Sequence, residues 1–355
     1  MNKTINLIYN NNLMDVTMIR KQQFQVSILD GALSGRRKRS RSDNLLEDID
    51  KFIDWSPLAE QCEVMFKKSN RGRPATPIIF SLKCLFIQFL YGLSDPGLED
   101  ALIDRLSFQR FLGISFDEEI PNFTTIWKFK ARLIKHKLYD KLFDTILEQL
   151  ESKNLILKKG TLIDATIVQS ARRPHKEKTD HTEHKERGVK ERNSQKDYDA
   201  THTQKGKKKY YGYKGHIGVD QGTNIIRTKA FTTASPHDSQ KRDELICGDE
   251  ASVFADKAYD DDAVKRKCRE KGVYYGILDK GRRNRPLSQS QKKRNKKKSR
   301  VRNAVERPFA HFKNLYSYSR VRYLTLERND LHFTFLCMIH NVRRGIALDT
   351  MYNII

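Results

Sequence analysis

The sequence predicts a multidomain chain, an all-α, helix-turn-helix-like N-terminal domain followed by an α/β domain built on a mixed sheet. Two observations carry this reading. Apolar residues recur at helical spacing from about residue 49 to 151, and from Gly160 the pattern switches to the alternation of a strand, after which strand and helix patterns interleave. The 355-residue length allows two or three domains with real cores.

Residues 1–45 show no sustained period and end in a basic run, Arg36, Arg37, Lys38, Arg39 and Arg41, which reads as a poorly ordered arm that meets phosphates. Residues 46–155 form the helical domain. Ile49, Phe52, Ile53 and Trp55 open it, a strongly apolar helix covers 78–91, and two further helices cover 94–112 and 123–151, with Ser94 and Thr124 as N-caps. Short helices with tight polar connections suit a helix-turn-helix, though a plain helical bundle fits the same pattern.

The remainder, 156–355, is the α/β domain. Residues 161–168 form a strand with Ile163, Ala165 and Ile167 on one face and Leu162, Asp164, Thr166 and Val168 on the other. A charged stretch at about 170–209 has almost no large apolar residue and reads as an exposed basic loop. Residues 210–219 and 225–233 read as a hairpin, 238–247 as a helix, 252–256 as a buried strand, a helix runs to Glu270, 273–278 is a further strand, and helices follow beyond Ser299.

Lys and Arg number 68 against 44 Asp and Glu, a formal net charge of +24. The usual counterpart of such an excess is nucleic acid, whose phosphates release counterions on binding. No stretch is long and apolar enough for a spanning helix, and the opening residues lack a secretory pattern, so a cytoplasmic, DNA-associated protein is expected. The five cysteines are irregularly spaced and read as reduced thiols. His175, His181, His184 and His202 lack ligand-spaced cysteines and have loop surroundings, which disfavours zinc. Lys207, Lys208 and Lys209 beside Tyr210, Tyr211 and Tyr213 either grip a DNA end or accompany tyrosines that pack the hairpin.

Three acids stand where chemistry is expected. Asp164 is mid-strand, Asp256 ends a buried strand, and Glu306 is the single acid among twelve Lys and Arg between Arg282 and Arg307. Buried-strand carboxylates are costly unless paired or bound to a cation, and their oxygens suit Mg²⁺. On a helix, Val301, Val305, Phe309 and Phe312 make an apolar stripe with Arg302, Glu306 and Lys313 beside it, and Pro308 requires a kink or a late helix start. Lys292 to Lys298 would track phosphates next to this site.

Residues 160–168 (GTLIDATIV), 210–220 (YYGYKGHIGVD), 233–238 (TASPHD), 254–259 (FADKAY) and 300–309 (RVRNAVERPF), with 72–77, 91–95 and 120–129 upstream, resemble the ordered blocks of insertion-sequence transposases of the insertion sequence five family. The resemblance implies a ribonuclease-H-like fold and an Asp-Asp-Glu triad of Asp164, Asp256 and Glu306 holding Mg²⁺ or Mn²⁺, as two ions. It implies partners too: double-stranded DNA, both element ends and target, and a homodimer or larger assembly on DNA. Arg302, Glu306 and Lys313 match the family's closing signature in register, while its tyrosine position holds Ser299. Asp238 and Tyr259 match family blocks as support for the sheet. The implied activity is hydrolysis at the element ends followed by strand transfer. A metal-dependent nuclease of the same fold, or a non-catalytic DNA-binding regulator, are the alternatives.

Overall fold

A computed structural model describes residues 41–66, 75–114, 119–172, 197–281 and 285–352. The N-terminal region is helical: α1 (Arg41–Phe52), α2 (Ser56–Glu63), α3 (Ile78–Leu90), α4 (Asp95–Asp104), α5 (Leu106–Leu112), α6 (Phe123–Lys135) and α7 (Leu138–Ser152). The helix expected over 94–112 is broken at Arg105, whose extended backbone ends α4. That over 123–151 is broken where Lys137 turns into the left-handed region at φ 50°. The first helix begins within the stretch read as an arm. Between α5 and α6 lie residues 113–122, the same gap that separates the helices expected over 94–112 and 123–151.

The α/β region carries β1 (Thr161–Gln169), β2 (Thr201–Lys205), β3 (Lys208–Asp220), β4 (Ile226–Thr233), β5 (Ser252–Phe254), α8 (Asp262–Glu270), β6 (Tyr274–Tyr275), α9 (Gln289–Arg302), α10 (Glu306–Asn314) and α11 (Leu326–Tyr352). The six-stranded sheet runs β2-β3-β1-β5-β6, with β4 also on β3. β3 is antiparallel to β1, β2 and β4, whereas β5 is parallel to β1 and to β6, so the sheet is mixed as expected.

Four local expectations are corrected. Residues 201–212, partly read as loop, form a hairpin, because backbone pairing along the free end of β3 organises polar residues that carry no apolar alternation. The helix over 238–247 is instead two short 3₁₀ turns, Asp238–Lys241 and Asp243–Leu245. The strand over 273–278 pairs only at Tyr274–Tyr275. The late helix starts earlier, at Gln289, behind a capping box in which Ser288 and Gln291 satisfy each other's backbone N–H groups.

The element on which both regions converge is α11. It is buried over most of its length, including Leu331, Phe333, Phe335, Leu336, Met338 and Ile339, and it packs on α7, α3 and α1 from one side and β4 from the other. Such a helix lacks a polar face because it has no solvent face to serve. From α3, the rings of Phe86 and Phe89 meet Phe335 at 5.9 and 5.3 Å, and Phe89 stacks on His332. Toward the sheet, Phe333 crosses β3 at Gly215, where a Cβ would lie 2.6 Å from the ring. One hydrophobic cluster thus runs from Leu46 through the sheet to Leu348.

Polar groups on α11 finish what the sheet leaves open. Asn341 accepts from Ile226 N at 2.8 Å and donates to Ile226 O at 2.7 Å, acting as a side-chain substitute for a neighbouring strand. His340 Nε2 meets Asn224 O at 3.0 Å. Asp220 fastens the entry to β1, accepting from Leu157 N, Lys158 N and Thr223 Oγ1.

Among the described residues no single helix is long and apolar enough to cross a membrane. α3 and α4 pass together on length and composition, but they meet at a bend of 103° and α3 is a core helix. All five cysteines are free, with only Cys247 exposed.

Replacing Asn341 by Leu should strand both backbone groups of Ile226 in the core. A loss of about 2 to 4 kcal/mol is expected, seen as a lower urea midpoint, and a midpoint equal to wild type would show that the amide pairing is dispensable. Burial holds the His340 imidazole at about 4, against an ordinary 6.5. The unfolded chain therefore takes up a proton between those values that the folded chain refuses, so the contribution is full above pH 6.5 and lost as pH falls toward 4. Urea midpoints are expected to decline over that window, and less steeply in His340→Gln, which keeps a donor for Asn224; equal slopes would exclude His340 as the cause.

Candidate functional site

The site grows from the parallel register of β1 and β5. Leu162 pairs with Phe254 at the end of the ladder, Asp164 and Asp256 each follow two residues on, and the two carboxylates are near enough for Asp256 to act on Asp164 as a like charge. Asp164 lies mid-strand because β1 continues past the end of β5, still paired with β3, where its partner is Ile217. Asp256 follows β5 directly and caps the 3₁₀ turn Lys257–Tyr259, accepting from Lys257 N at 2.8 Å. Asp256 therefore stands just past the carboxyl end of β5, where open α/β sheets place their ligands, and mid-strand Asp164 lies level with that end.

Glu306 arrives by a break in the helix. After α9 the chain makes a 3₁₀ turn, Asn303–Val305, which packs against β1, and α10 then starts at Glu306. Pro308 is compatible with this because it falls in the first turn, where its missing N–H has no partner to lose. The late start also puts the Glu306 carboxylate at a helix N-terminus, the end that favours negative charge. Lys313 lies seven residues along α10, about 10 Å by helical rise, and is exposed.

Arg302, the last residue of α9, joins the pieces. Its Nη1 lies 3.5 Å from Asp164 Oδ2 and its Nη2 3.3 Å from Glu306 Oε1. The Arg302 and Asp164 side chains are 16% and 23% exposed, Glu306 60%, so the guanidinium sits in a partly desolvated gap between a buried and an open carboxylate. Both contacts are long for ion pairs, and the Arg302 Nε is buried with no partner. Burial pushes the Asp164 carboxyl up from the usual range; the Ala165 N–H and Arg302 pull it back, Asp256 adds a like charge, and Lys205 draws it down again.

Three oxygen-donor side chains, two of them joined through a loosely bonded guanidinium, suit a hard divalent cation. They do not converge tightly, however. The three-residue group whose ligand atoms all lie within 4.8 Å, among the described residues, is Cys247, Asp249 and Glu250. That group is already spent on structure: Asp249 takes both bonds from Arg227, and Glu250 accepts from Cys247 N, Gly248 N and Thr161 Oγ1.

The other expected residues separate. Lys207, Lys208 and Lys209 are exposed at the β2–β3 hairpin, and Lys205 faces Lys208 across it, a like-charge pair that weakens the hairpin unless an anion is near. Lys205 is a cation that sequence reasoning missed, since its segment carried no strand signal. Of the tyrosines, Tyr213 donates to Asp197 Oδ1 and Tyr211 to Asp197 O, so these two pack the hairpin. His202 faces Tyr211 across the strands, at 4.8 Å between rings. Asp238 pairs with Lys214 at 2.9 Å, and Tyr259 is buried in the small cluster with Ile163, its hydroxyl unpartnered. Arg36, Arg37, Lys38, Arg39, His175, His181 and His184 lie outside the described residues; Arg41 opens α1.

Comparison with solved structures finds a likeness to the protein in "Cryo-EM structure of piggyBac transposase synaptic complex with hairpin DNA", at 9% identity over 87% of this chain and 73% of that one, with a TM-score of 0.44. Comparison with protein families matches residues 34–132 to "Transposase domain (DUF772)" and residues 156–342 to "Transposase DDE domain". The second match covers more than half of the 355 residues and contains Asp164, Asp256, Arg302 and Glu306, so the chain belongs to the transposase DDE domain family.

Proposed function

We propose that the chain is an insertion-sequence DNA transposase of the insertion sequence five kind, with Asp164, Asp256 and Glu306 as its Asp-Asp-Glu triad on a ribonuclease-H-like sheet. The observation that carries this is the β1–β5 register setting Asp164 beside Asp256, with Arg302 tying Glu306 to the pair. The three carboxylates would hold Mg²⁺ or Mn²⁺, as two ions. Bound there, such cations make the attacking oxygen a better nucleophile and offset charge on the leaving oxygen of a phosphodiester.

The chain's own residues supply position and charge. Burial raises the Asp164 carboxyl above its usual range, and the Ala165 N–H and Arg302 oppose that rise by favouring its ionised form. Arg302 beside the carboxylates, Lys313 further along α10, and Lys207, Lys208 and Lys209 on the hairpin offer positive charge to the DNA backbone. The displacement needs alignment and electrostatics rather than a protein nucleophile, so no covalent protein intermediate is invoked. The helical region, with the basic run Arg36, Arg37, Lys38, Arg39 and Arg41, would hold the inverted-repeat ends, and two ends held together fit a homodimer or larger assembly.

Asp164→Asn, Asp256→Asn and Glu306→Gln should each abolish Mg²⁺-dependent nicking of a labelled duplex while leaving DNA binding intact; near wild-type turnover in any one would remove that residue from the triad. Without DNA, Mn²⁺ is expected to raise the melting temperature of the wild type but not of Asp164→Asn, by mass action on the folded state. A shift of equal size in the variant would place the ion elsewhere. Arg302→Ala and Lys313→Ala should slow single-turnover cleavage by about tenfold or more, with Lys313→Ala leaving the melting temperature unchanged.

A further inference from the structure

We infer that α6 (Phe123–Lys135) is the helix that enters the major groove of double-stranded DNA, and that this face of the helical region recognises the element ends. The inference deepens the transposase reading above and rests on it.

α6 is amphipathic, but its exposed side is divided in an unusual way. At 100° per residue, Ile126, Phe129, Lys130 and Leu133 point inward and are buried. Around the outside, Trp127 comes first, then Ala131, Thr124 and Lys135 across the centre, then Lys128 and Arg132. Two small residues, Ala131 and Thr124, thus share the middle of the exposed face with Lys135, an aromatic residue borders one side and two cations the other. A helix reads a groove in this way when its centre approaches base edges and its flanks meet the two phosphate walls.

Charge points to the same partner. Residues 123–137 contain five Lys or Arg and no acid. Two acids that touch the helix are already committed: Asp95 pairs with Lys130 beneath it, and Glu99 Oε2 accepts from Phe123 N at 2.7 Å. On the aromatic side, Arg328 from the first turns of α11 stands over the Trp127 ring at 5.8 Å, adding a cation to that wall. Trp127 and Phe123 remain 44% and 36% exposed, more apolar surface than a purely solvated basic helix needs. Trp127, Arg328 and Tyr323 border a small cleft beside the helix, about 130 Å³ in volume.

The helix is also held as a reading element should be. Asn122 caps it through Thr124 N, and Lys130 on its underside reaches Asp95, Gln88 and Tyr323, tying it to α3, α4 and the approach to α11. Thirteen residues span about 20 Å, enough to cross a major groove about 12 Å wide.

The test uses the full chain and a duplex copied from the DNA immediately flanking the coding sequence, with a scrambled duplex as control. Binding is measured by anisotropy across a salt series, and nicking of the same duplex is followed in Mg²⁺. Lys128→Gln/Lys135→Gln should lower the log-log salt slope by about 2, one phosphate contact for each lysine. Ala131→Leu should keep the slope but reduce the preference for the flanking duplex about tenfold or more, by blocking close approach. In the wild type, DNA should protect Lys128 and Lys135 from acetylation, which needs no variant to fold. If the wild type binds the flanking duplex selectively and nicks it, yet both variants match it and the two lysines stay reactive, the role of α6 is overturned and the transposase reading stands. A wild type that neither binds nor nicks DNA overturns both.

Discussion

The long helix α11 is the constraint on which the rest of the molecule depends. Because it is buried from both sides, neither the helical region nor the sheet can complete its core without it. Fully burying a Leu, Phe or Met side chain is worth about 1.5 to 3 kcal/mol, so a helix contributing many of them to two neighbours binds those neighbours to each other. The sheet pays for this proximity at Gly215, which has no side chain because Phe333 occupies the space. The polar residues of α11 serve the same end. Asn341 and His340 satisfy backbone groups of the β3–β4 turn and the start of β4 that would otherwise be buried unpaired.

Where α11 fixes the frame, the site is governed by a contest between burial and charge. Asp164 lies where a strand side chain loses water, and the chain answers with a backbone N–H and one guanidinium rather than a tight ion pair. That guanidinium is shared with Glu306, which the helix break before α10 brings forward. The result is an electrostatically balanced but loosely bonded set of side chains, whose long contacts are easily exchanged. Around it the charge is one-sided: α9 carries no acid, and the β2–β3 hairpin opposes Lys205 to Lys208. Like charges so close destabilise the elements that bear them, a cost that a polyanion offsets.

Family membership and geometry meet at the same residues. The region matched to the transposase DDE domain begins just before β1 and ends within α11, so it takes in both the carboxylates and the helix that frames the sheet. The upstream match ends within α6, the helix whose exposed face carries Trp127 on one side and cations on the other. The two halves of the function proposed here, holding DNA and cutting it, therefore draw on parts that share one hydrophobic core.

By itself the sequence determined the change from helical to strand periodicity near Gly160, the mid-strand position of Asp164, the place of Asp256 after a buried strand, and the break that Pro308 demands. Each follows from local backbone sterics or from the period of apolar residues, which neighbours in the chain are enough to express. Its two-part division was legible for the same reason, while the common core was not, since periodicity marks a buried face without saying what covers it. The β2–β3 hairpin was hidden because its residues are polar and its order comes from pairing with a strand already anchored to β1. The start of α9 did leave a signal, the reciprocal cap of Ser288 and Gln291, in a helix too basic to be read from apolar spacing. Only the tertiary structure decided that Asp164 and Asp256 lie side by side and that Arg302 stands between Asp164 and Glu306. These depend on strand register and on a helix docking across more than a hundred residues of chain, and no local rule carries that far.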